Sequence, residues 1–170
     1  MDVYGCFAKQ HMKMFGLTQR QLAAVAAKNH AHSTRNEKAQ FRFDISIDEV
    51  LAARRISWPL TLPMCSPISD GGAAAILCSK SALDRFDKGR AVKVLAAVMG
   101  TGTNRAPEDL ERHITRRAAK RAYEQASIGP DDIDVAEVHD ATAMGEVTQT
   151  ESLGFCAIGD DEGSNTLAAN

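Results

Sequence analysis

The second half of this 170-residue sequence predicts an α/β fold with a parallel sheet. Residues 91–99 (AVKVLAAVM) are almost continuously apolar, which is typical of a strand buried on both faces. A long helical pattern begins near residue 107, and it is followed by a short apolar strand at residues 133–138 and a second helix at residues 141–153. This β-α-β-α alternation indicates parallel strands joined by right-handed crossovers.

The first half is predicted to be mainly helical. Residues 3–15 form an amphipathic helical pattern that ends at a glycine. Two capping boxes follow, and their first residues, Thr18 and Ser46, are each expected to begin a helix. Residues 59–69 (PLTLPMCSPIS) contain three prolines, so they are expected to form loop and sheet edge rather than a central strand.

Further elements of the second half follow from small residues and from apolar spacing. Residues 73–79 (AAAILCS) suit a buried strand or a tightly packed helix start, and a short helix is predicted at residues 81–86. Pro107 suits the first turn of the long helix, and Gly129 is expected to cap its end. Five residues of this helix recur at four-residue spacing and predict one buried stripe: Leu110, Ile114, Ala118, Ala122 and Ala126.

Composition and charge exclude several classes of function. Apolar residues make up 44% and charged residues 25% of the chain, as in ordinary soluble globular proteins. The balance of 20 Lys+Arg against 22 Asp+Glu offers no basic surplus for nucleic acid or an anionic membrane. No apolar run is long enough for a membrane span, and the start lacks the apolar core of a signal peptide. We therefore expect a cytoplasmic protein.

The cysteines and histidines give no sign of a metal site. The four cysteines contain no C-x-x-C pair, and reduced thiols are expected; they are Cys6, Cys65, Cys78 and Cys156. His30 and His32 are two residues apart and would point in different directions on a helix. Cys65 and Cys156 are expected to be structural thiols, because neither follows a visible helix start or an obvious base.

The pair His139-Asp140 lies where the second predicted strand passes into the last helix. The carboxyl ends of strands are where α/β proteins usually collect reactive groups, which favours a functional pair. The alternative is structural, because Asp140 could cap the helix by accepting bonds from free backbone N–H groups. These residues alone leave both interpretations open.

Three stretches, in this order and spacing, resemble the thiolase superfamily. They are CSPISDGGAAAIL (65–77), ASIGPDDIDVAEVHD (126–140) and ESLGFCAIGD (151–160). They are similar to the "DGAAA" strand, the "P-x-DID" and "E-x-HD" segments and the "E-x-LGF" helix end of the branch of sterol-carrier-protein thiolases and lipid-transfer acyltransferases. The first half also resembles the helical insertion of that branch, so the likeness covers essentially all 170 residues.

The resemblance implies a layered fold of two α/β halves, of which this chain holds part. It places residues 1–64 in the helical insertion and loop region of the N-terminal half. Residues 65–90 become the last strand and helix of that half, and residues 91–170 become a truncated C-terminal half with part of its βαβα pattern. The predicted fold class is therefore α/β, thiolase-like and incomplete.

The resemblance also implies site residues and a substrate. His139 lies at the position that helps to hold the thioester oxygen, and Ser66 at a loop serine that contacts coenzyme A. Asp140 would cap the helix and orient the imidazole. A coenzyme A thioester is the implied substrate, with no covalently bound cofactor and no metal.

Departures from the family pattern limit the expected activity. The nucleophilic cysteine of the family is expected upstream of this chain, and its "GHP-x-GA" and "C-x-G" motifs downstream. Ala141-Thr142 also stand where the branch often has Cys-Phe. We expect a fragment or subunit of an acyl-CoA C-acyltransferase that is inactive alone and forms a dimer or associates with a complementing chain. The alternatives are a non-catalytic remnant or interaction subunit, and an acyl-CoA retro-aldolase subunit that needs a partner.

Overall fold

The computed structural model describes residues 1–160, so the last ten residues of the predicted C-terminal half lie outside the described residues. The described residues form five α-helices: α1 (Asp2–Phe15), α2 (Gln19–Ser33), α3 (Ile47–Ala52), α4 (Ile114–Ala126) and α5 (Ala143–Leu153). Strands β1 (Arg55–Ser57) and β2 (Leu60–Thr61) form a small antiparallel hairpin. Short 3₁₀ turns lie at Leu62–Met64, Lys80–Arg85, Lys88–Arg90, Leu110–Arg112 and Pro130–Asp132.

The helices predicted for the first half are confirmed, together with the glycine end of the first and the capped starts of the other two. α1 ends at Gly16, whose φ of 80° is the left-handed conformation that favours glycine. The Thr18 side chain accepts a hydrogen bond from the backbone N–H of Gln21 and begins α2, and Ser46 does the same for α3. These capping contacts are local, which is why sequence spacing alone predicts them.

Helix α2 lies at the centre of the hydrophobic core. Its apolar residues Leu22, Ala23 and Val25 are completely buried, and α3 and α5 both pack against it. The other buried residues of this core come from several elements: Ala8, Leu17, Ala26, Val50, Leu60, Met64, Ala143, Met144 and Val147. The core therefore holds the first turns of α5 firmly against α2.

The strands predicted at residues 91–99 and 133–138 do not form. Both segments lack regular structure, and residues 73–79 do as well. Val92 is 90% exposed and Val135 is 81% exposed, although both belong to apolar patterns that predict burial. Within residues 1–160 the paired strands are β1 and β2 alone.

These two segments do not form strands because they lack adjacent strands to pair with. A β-strand satisfies its backbone N–H and C=O groups on adjacent strands, and two isolated parallel strands give too little burial to persist in water. Their apolar pattern is typical of strands in the interior of a sheet. The described chain does not supply the strands that would enclose them.

The long helix of the second half starts later and ends earlier than its sequence predicts. Asp109 caps a 3₁₀ turn, and α4 begins only after His113. Ser127, at φ 57°, ends the helix in place of the predicted Gly129. The predicted stripe is also wrong, because Ala119 is the residue of α4 that is buried whereas Ile114 is exposed. The face of α4 that packs on α5 is therefore not the predicted stripe, and it includes Arg116 and Tyr123, which donate to backbone oxygens of α5.

Helix α5 is capped by Thr142, and the prediction that Asp140 caps it is wrong. The Thr142 hydroxyl accepts a hydrogen bond from the Gly145 N–H (3.1 Å) and the side chain is buried. The helix ends at Gly154, with φ 83°, as the sequence predicts. The chain stays extended for two residues longer than expected, so Asp140 lies before the cap and is left available for other contacts.

Replacing Thr142 with valine should lower the free energy of unfolding by about 1 kcal/mol, because the side-chain volume is kept while the cap is lost. Chemical denaturation measures this change. The matched control is Asp140→Asn, which should leave stability nearly unchanged. A larger loss in Asp140→Asn than in Thr142→Val would contradict the assignment of the cap.

Candidate functional site

Two segments that are distant in sequence meet beside the start of α5. Cys65 and Thr142 form an isolated antiparallel bridge. The Ser66 N–H donates to the carbonyl oxygen of Ala141 at 3.0 Å. The two residues singled out by the sequence, Ser66 and His139, are thereby placed on neighbouring backbone segments.

A groove of about 250 Å³ lies between these segments and the C-terminal end of α2. Ser66, Asp140 and Thr142 line one side of it. His30, on α2, and Phe41, in the loop that follows, contribute to its lining as well. Ser66 thus lies at a shaped site, whereas His139 is exposed and adjoins the groove through Asp140.

Asp140 is the acidic residue of the groove. Partial burial raises the pKa of its carboxyl group, and the nearby Glu146 raises it further. A backbone hydrogen bond, His139 and Lys28 act in the opposite direction. The role expected of Asp140 in orienting the imidazole of His139 stays a prediction.

A buried ion pair joins α2 to the first turns of α5. Lys28 Nζ donates to one oxygen of Glu146 (2.5 Å) and Asn29 Nδ2 donates to the other (2.6 Å). The Lys28 and Glu146 side chains are only 13% and 11% exposed. Both carboxylate oxygens are therefore engaged, and the two helices that form the walls of the groove are tied together.

The ion pair between Lys28 and Glu146 is not predicted by the sequence patterns. A glutamate between Met144 and Val147, which are both buried, was the available signal, because a charged residue among apolar neighbours usually has a partner. Its partners lie 117 and 118 residues away along the chain, and sequence spacing carries no information about such a contact.

A second buried polar contact anchors α1 to the end of α5. His11 Nε2 lies 2.7 Å from Glu151 Oε1, which also accepts the Gly159 N–H at 2.7 Å. Arg116 of α4 donates to the backbone oxygen of Glu151 at 2.9 Å. This contact lies at the opposite end of α5 from the groove and links α1, α4 and α5.

The cysteine within the groove is a poor nucleophile. Partial burial raises the pKa of the Cys65 thiol, which lies near the carbonyl oxygen of Thr61. Burial, with the negative charges of Glu151 and Asp160, raises the pKa of Cys156 to about 11. Only the thiolate attacks a thioester efficiently, so both thiols fit the structural role expected of them.

The part of the chain that the structure describes has neither a metal-ligand cluster nor a membrane-spanning helix. No group of three or more histidine, cysteine, aspartate or glutamate side chains in residues 1–160 could hold a metal ion. None of the described helices is long and apolar enough to cross a membrane.

Comparison with known proteins identifies the family. Residues 96–169 match the family model of the thiolase C-terminal domain-like proteins. Sterol carrier protein 2 of Bos taurus is 36% identical over 180 aligned residues, which cover 97% of this chain. The chain belongs to the thiolase superfamily. The resemblance drawn from the three sequence stretches is confirmed.

Other relatives of this thiolase-family chain carry different names. Acetyl-CoA acetyltransferase of Methanothermobacter thermautotrophicus is 37% identical over 94% of this chain and 42% of its own length. The benzoylsuccinyl-CoA thiolase subunit BbsB of Thauera aromatica is 35% identical over 92% of this chain and 41% of its own length. The chain spans about a third of sterol carrier protein 2.

A solved structure shares the fold. The Ltp2-ChsH2(DUF35) aldolase superposes with a TM-score of 0.75 at 24% identity, covering 98% of this chain and 45% of that one. The predicted thiolase-like α/β class is confirmed by this likeness and by the family match. The division into residues 1–64, 65–90 and 91–170 stays a prediction.

Replacing Glu146 with glutamine should lower the free energy of unfolding by about 3 kcal/mol, because the buried Lys28 ammonium loses its counter-charge. Thermal or chemical denaturation measures the loss. Asp48→Asn is the matched control, since its ion pair with Arg20 is mostly exposed and should change stability by less than about 1 kcal/mol. Equal losses in the two variants would contradict the importance of the buried pair.

Proposed function

We propose that this chain binds a coenzyme A thioester in the groove, as part of a thiolase-like acyl-CoA C-acyltransferase. The observation that carries the proposal is the backbone pairing between the two segments. The Ser66 N–H donates to the carbonyl oxygen of Ala141, two residues after His139, so a serine and a histidine separated by over 70 residues of sequence lie on neighbouring backbone segments. Family membership supports the choice of thioester over other ligands.

The proposed roles follow from the chemistry of each side chain. The His139 imidazole donates a hydrogen bond to the thioester oxygen, on which negative charge develops when the α-carbon is deprotonated or the carbonyl carbon is attacked. One well-placed donor of this kind contributes about 3 kcal/mol to transition-state stabilisation. Asp140 orients the imidazole, and the Ser66 hydroxyl contacts coenzyme A.

The acyl-transfer step itself needs a thiolate nucleophile and a base. Cys65 lines the groove, but the raised pKa of its thiol leaves little thiolate at neutral pH. We propose that the nucleophile comes from outside the described residues and that the chain alone does not turn over substrate. A retro-aldol cleavage of an acyl-CoA is the second candidate, because this reaction needs no cysteine nucleophile and Cys65 is poorly suited to be one.

The exposed apolar segments indicate how the missing parts are supplied. Residues 91–99 and 133–138 present valine, leucine and methionine side chains to solvent, and neither segment pairs with a strand among the described residues. Large exposed apolar surfaces with free strand edges drive association. We propose that a second copy or a complementing thiolase-half chain pairs with these segments and completes the sheet.

Acetyl-CoA should bind the wild-type protein in isothermal titration calorimetry, and both Ser66→Ala and His139→Ala should weaken binding by about fivefold, the value of one hydrogen bond. Ser69→Ala and His32→Ala are matched controls, because neither residue lines the groove or lies within two residues of the Ser66–Ala141 backbone bond. The wild-type protein should not cleave acetoacetyl-CoA in the presence of coenzyme A. Cleavage that His139→Ala abolishes would contradict the proposed inactivity, and failure to bind acetyl-CoA would contradict the proposed function.

Light scattering should show an oligomer, because the apolar segments need partners. Replacing Val92 and Val94 with lysine should reduce the mass toward that of a monomer, since charges on a strand face or edge oppose pairing. The control replaces Val3 with lysine, another exposed valine outside these segments. A monodisperse wild-type monomer would contradict the proposal.

A further inference from the structure

His30 is a polar residue of the groove that neither the sequence patterns nor the proposed mechanism uses. It lies on α2 and lines the groove that Ser66 and Asp140 also line. Its ring packs on Phe43, with the ring centroids 4.7 Å apart and an interplanar angle of 39°. The orientation of the imidazole is thus restrained by an aromatic neighbour.

The surroundings of the imidazole indicate where its proton lies. Nδ1 is buried and has no hydrogen-bond partner among the described residues. An unpaired buried N–H is less tolerable than an unpaired acceptor, so the neutral ring is expected to carry its proton on Nε2. In that tautomer the Nε2–H is the ring donor available to a bound molecule.

The other side chains that line the groove indicate which kind of ligand fits it. Its described lining includes hydroxyl and amide side chains from Ser33, Gln40 and Ser66, and it contains no lysine or arginine. Its one carboxylate, Asp140, would repel a phosphate. Such a surface fits an uncharged chain with amide and hydroxyl groups, which is the chemistry of the pantetheine arm of coenzyme A.

We propose that His30 is a binding residue for the pantetheine arm, with its Nε2–H donating to an amide carbonyl of that arm. The inference rests on the proposed function and adds a contact from α2, on the side of the groove opposite the paired segments. The buried link from Lys28 and Asn29 to Glu146 holds this part of α2 at a set distance from α5. His30 and Ser66 therefore hold one ligand between two walls that move together.

The experiment compares acetyl-CoA with S-acetylpantetheine, which lacks the nucleotide, by isothermal titration calorimetry. His30→Phe keeps an aromatic ring against Phe43 and removes the donor, so it should weaken binding of both ligands by about fivefold. His30→Gln places an amide N–H near the position of Nε2 and should recover most of that loss. His32→Phe, on the exposed side of α2, is the control and should bind as the wild type does.

Four results would overturn the inference. His30→Phe that binds both ligands as tightly as the wild type would exclude the contact while leaving the proposed function intact. Weakened binding of acetyl-CoA without weakened binding of S-acetylpantetheine would place the contact on the nucleotide. A loss that His30→Gln does not recover, in a variant with wild-type thermal stability, would exclude the donor role. A wild-type protein that binds neither ligand would overturn both proposals.

Discussion

The structure depends on the buried contact between Glu146 and the neighbouring pair Lys28 and Asn29. It joins the middle of α2 to the first turns of α5, two helices more than 100 residues apart in sequence. Apolar packing of α2 on α5 would permit small rotations, whereas two charge-assisted hydrogen bonds to one carboxylate define a single arrangement. The contact therefore ties together the two helices whose residues line the groove.

The pairing of Cys65 and Ser66 with Ala141 and Thr142 depends in turn on this arrangement. Thr142 caps α5 through its side chain and bridges to Cys65 through its backbone. One residue therefore begins the helix and also places the loop serine. Because the cap falls at Thr142, Asp140 stays free to line the groove.

The segments at residues 91–99 and 133–138 show what the isolated chain lacks. Their composition is that of strands enclosed in a parallel sheet, and their side chains are exposed because the described chain has no strands to pair with them. The family match begins at residue 96, within the first of these segments. These segments therefore keep the apolar pattern of the family's strands, although they do not form strands among the described residues.

Local chemistry alone determined the helices and their ends in the first half, because a capping box or a terminal glycine acts over three or four residues. The sequence motifs also determined the family and singled out His139 and Ser66. Only the tertiary structure decided that Thr142 rather than Asp140 is the cap, that Glu146 binds Lys28, and that His30 shares a groove with Ser66. Each of these contacts depends on residues that are far apart in sequence. Their stability depends on burial, and burial is set by tertiary packing that a local sequence pattern does not determine.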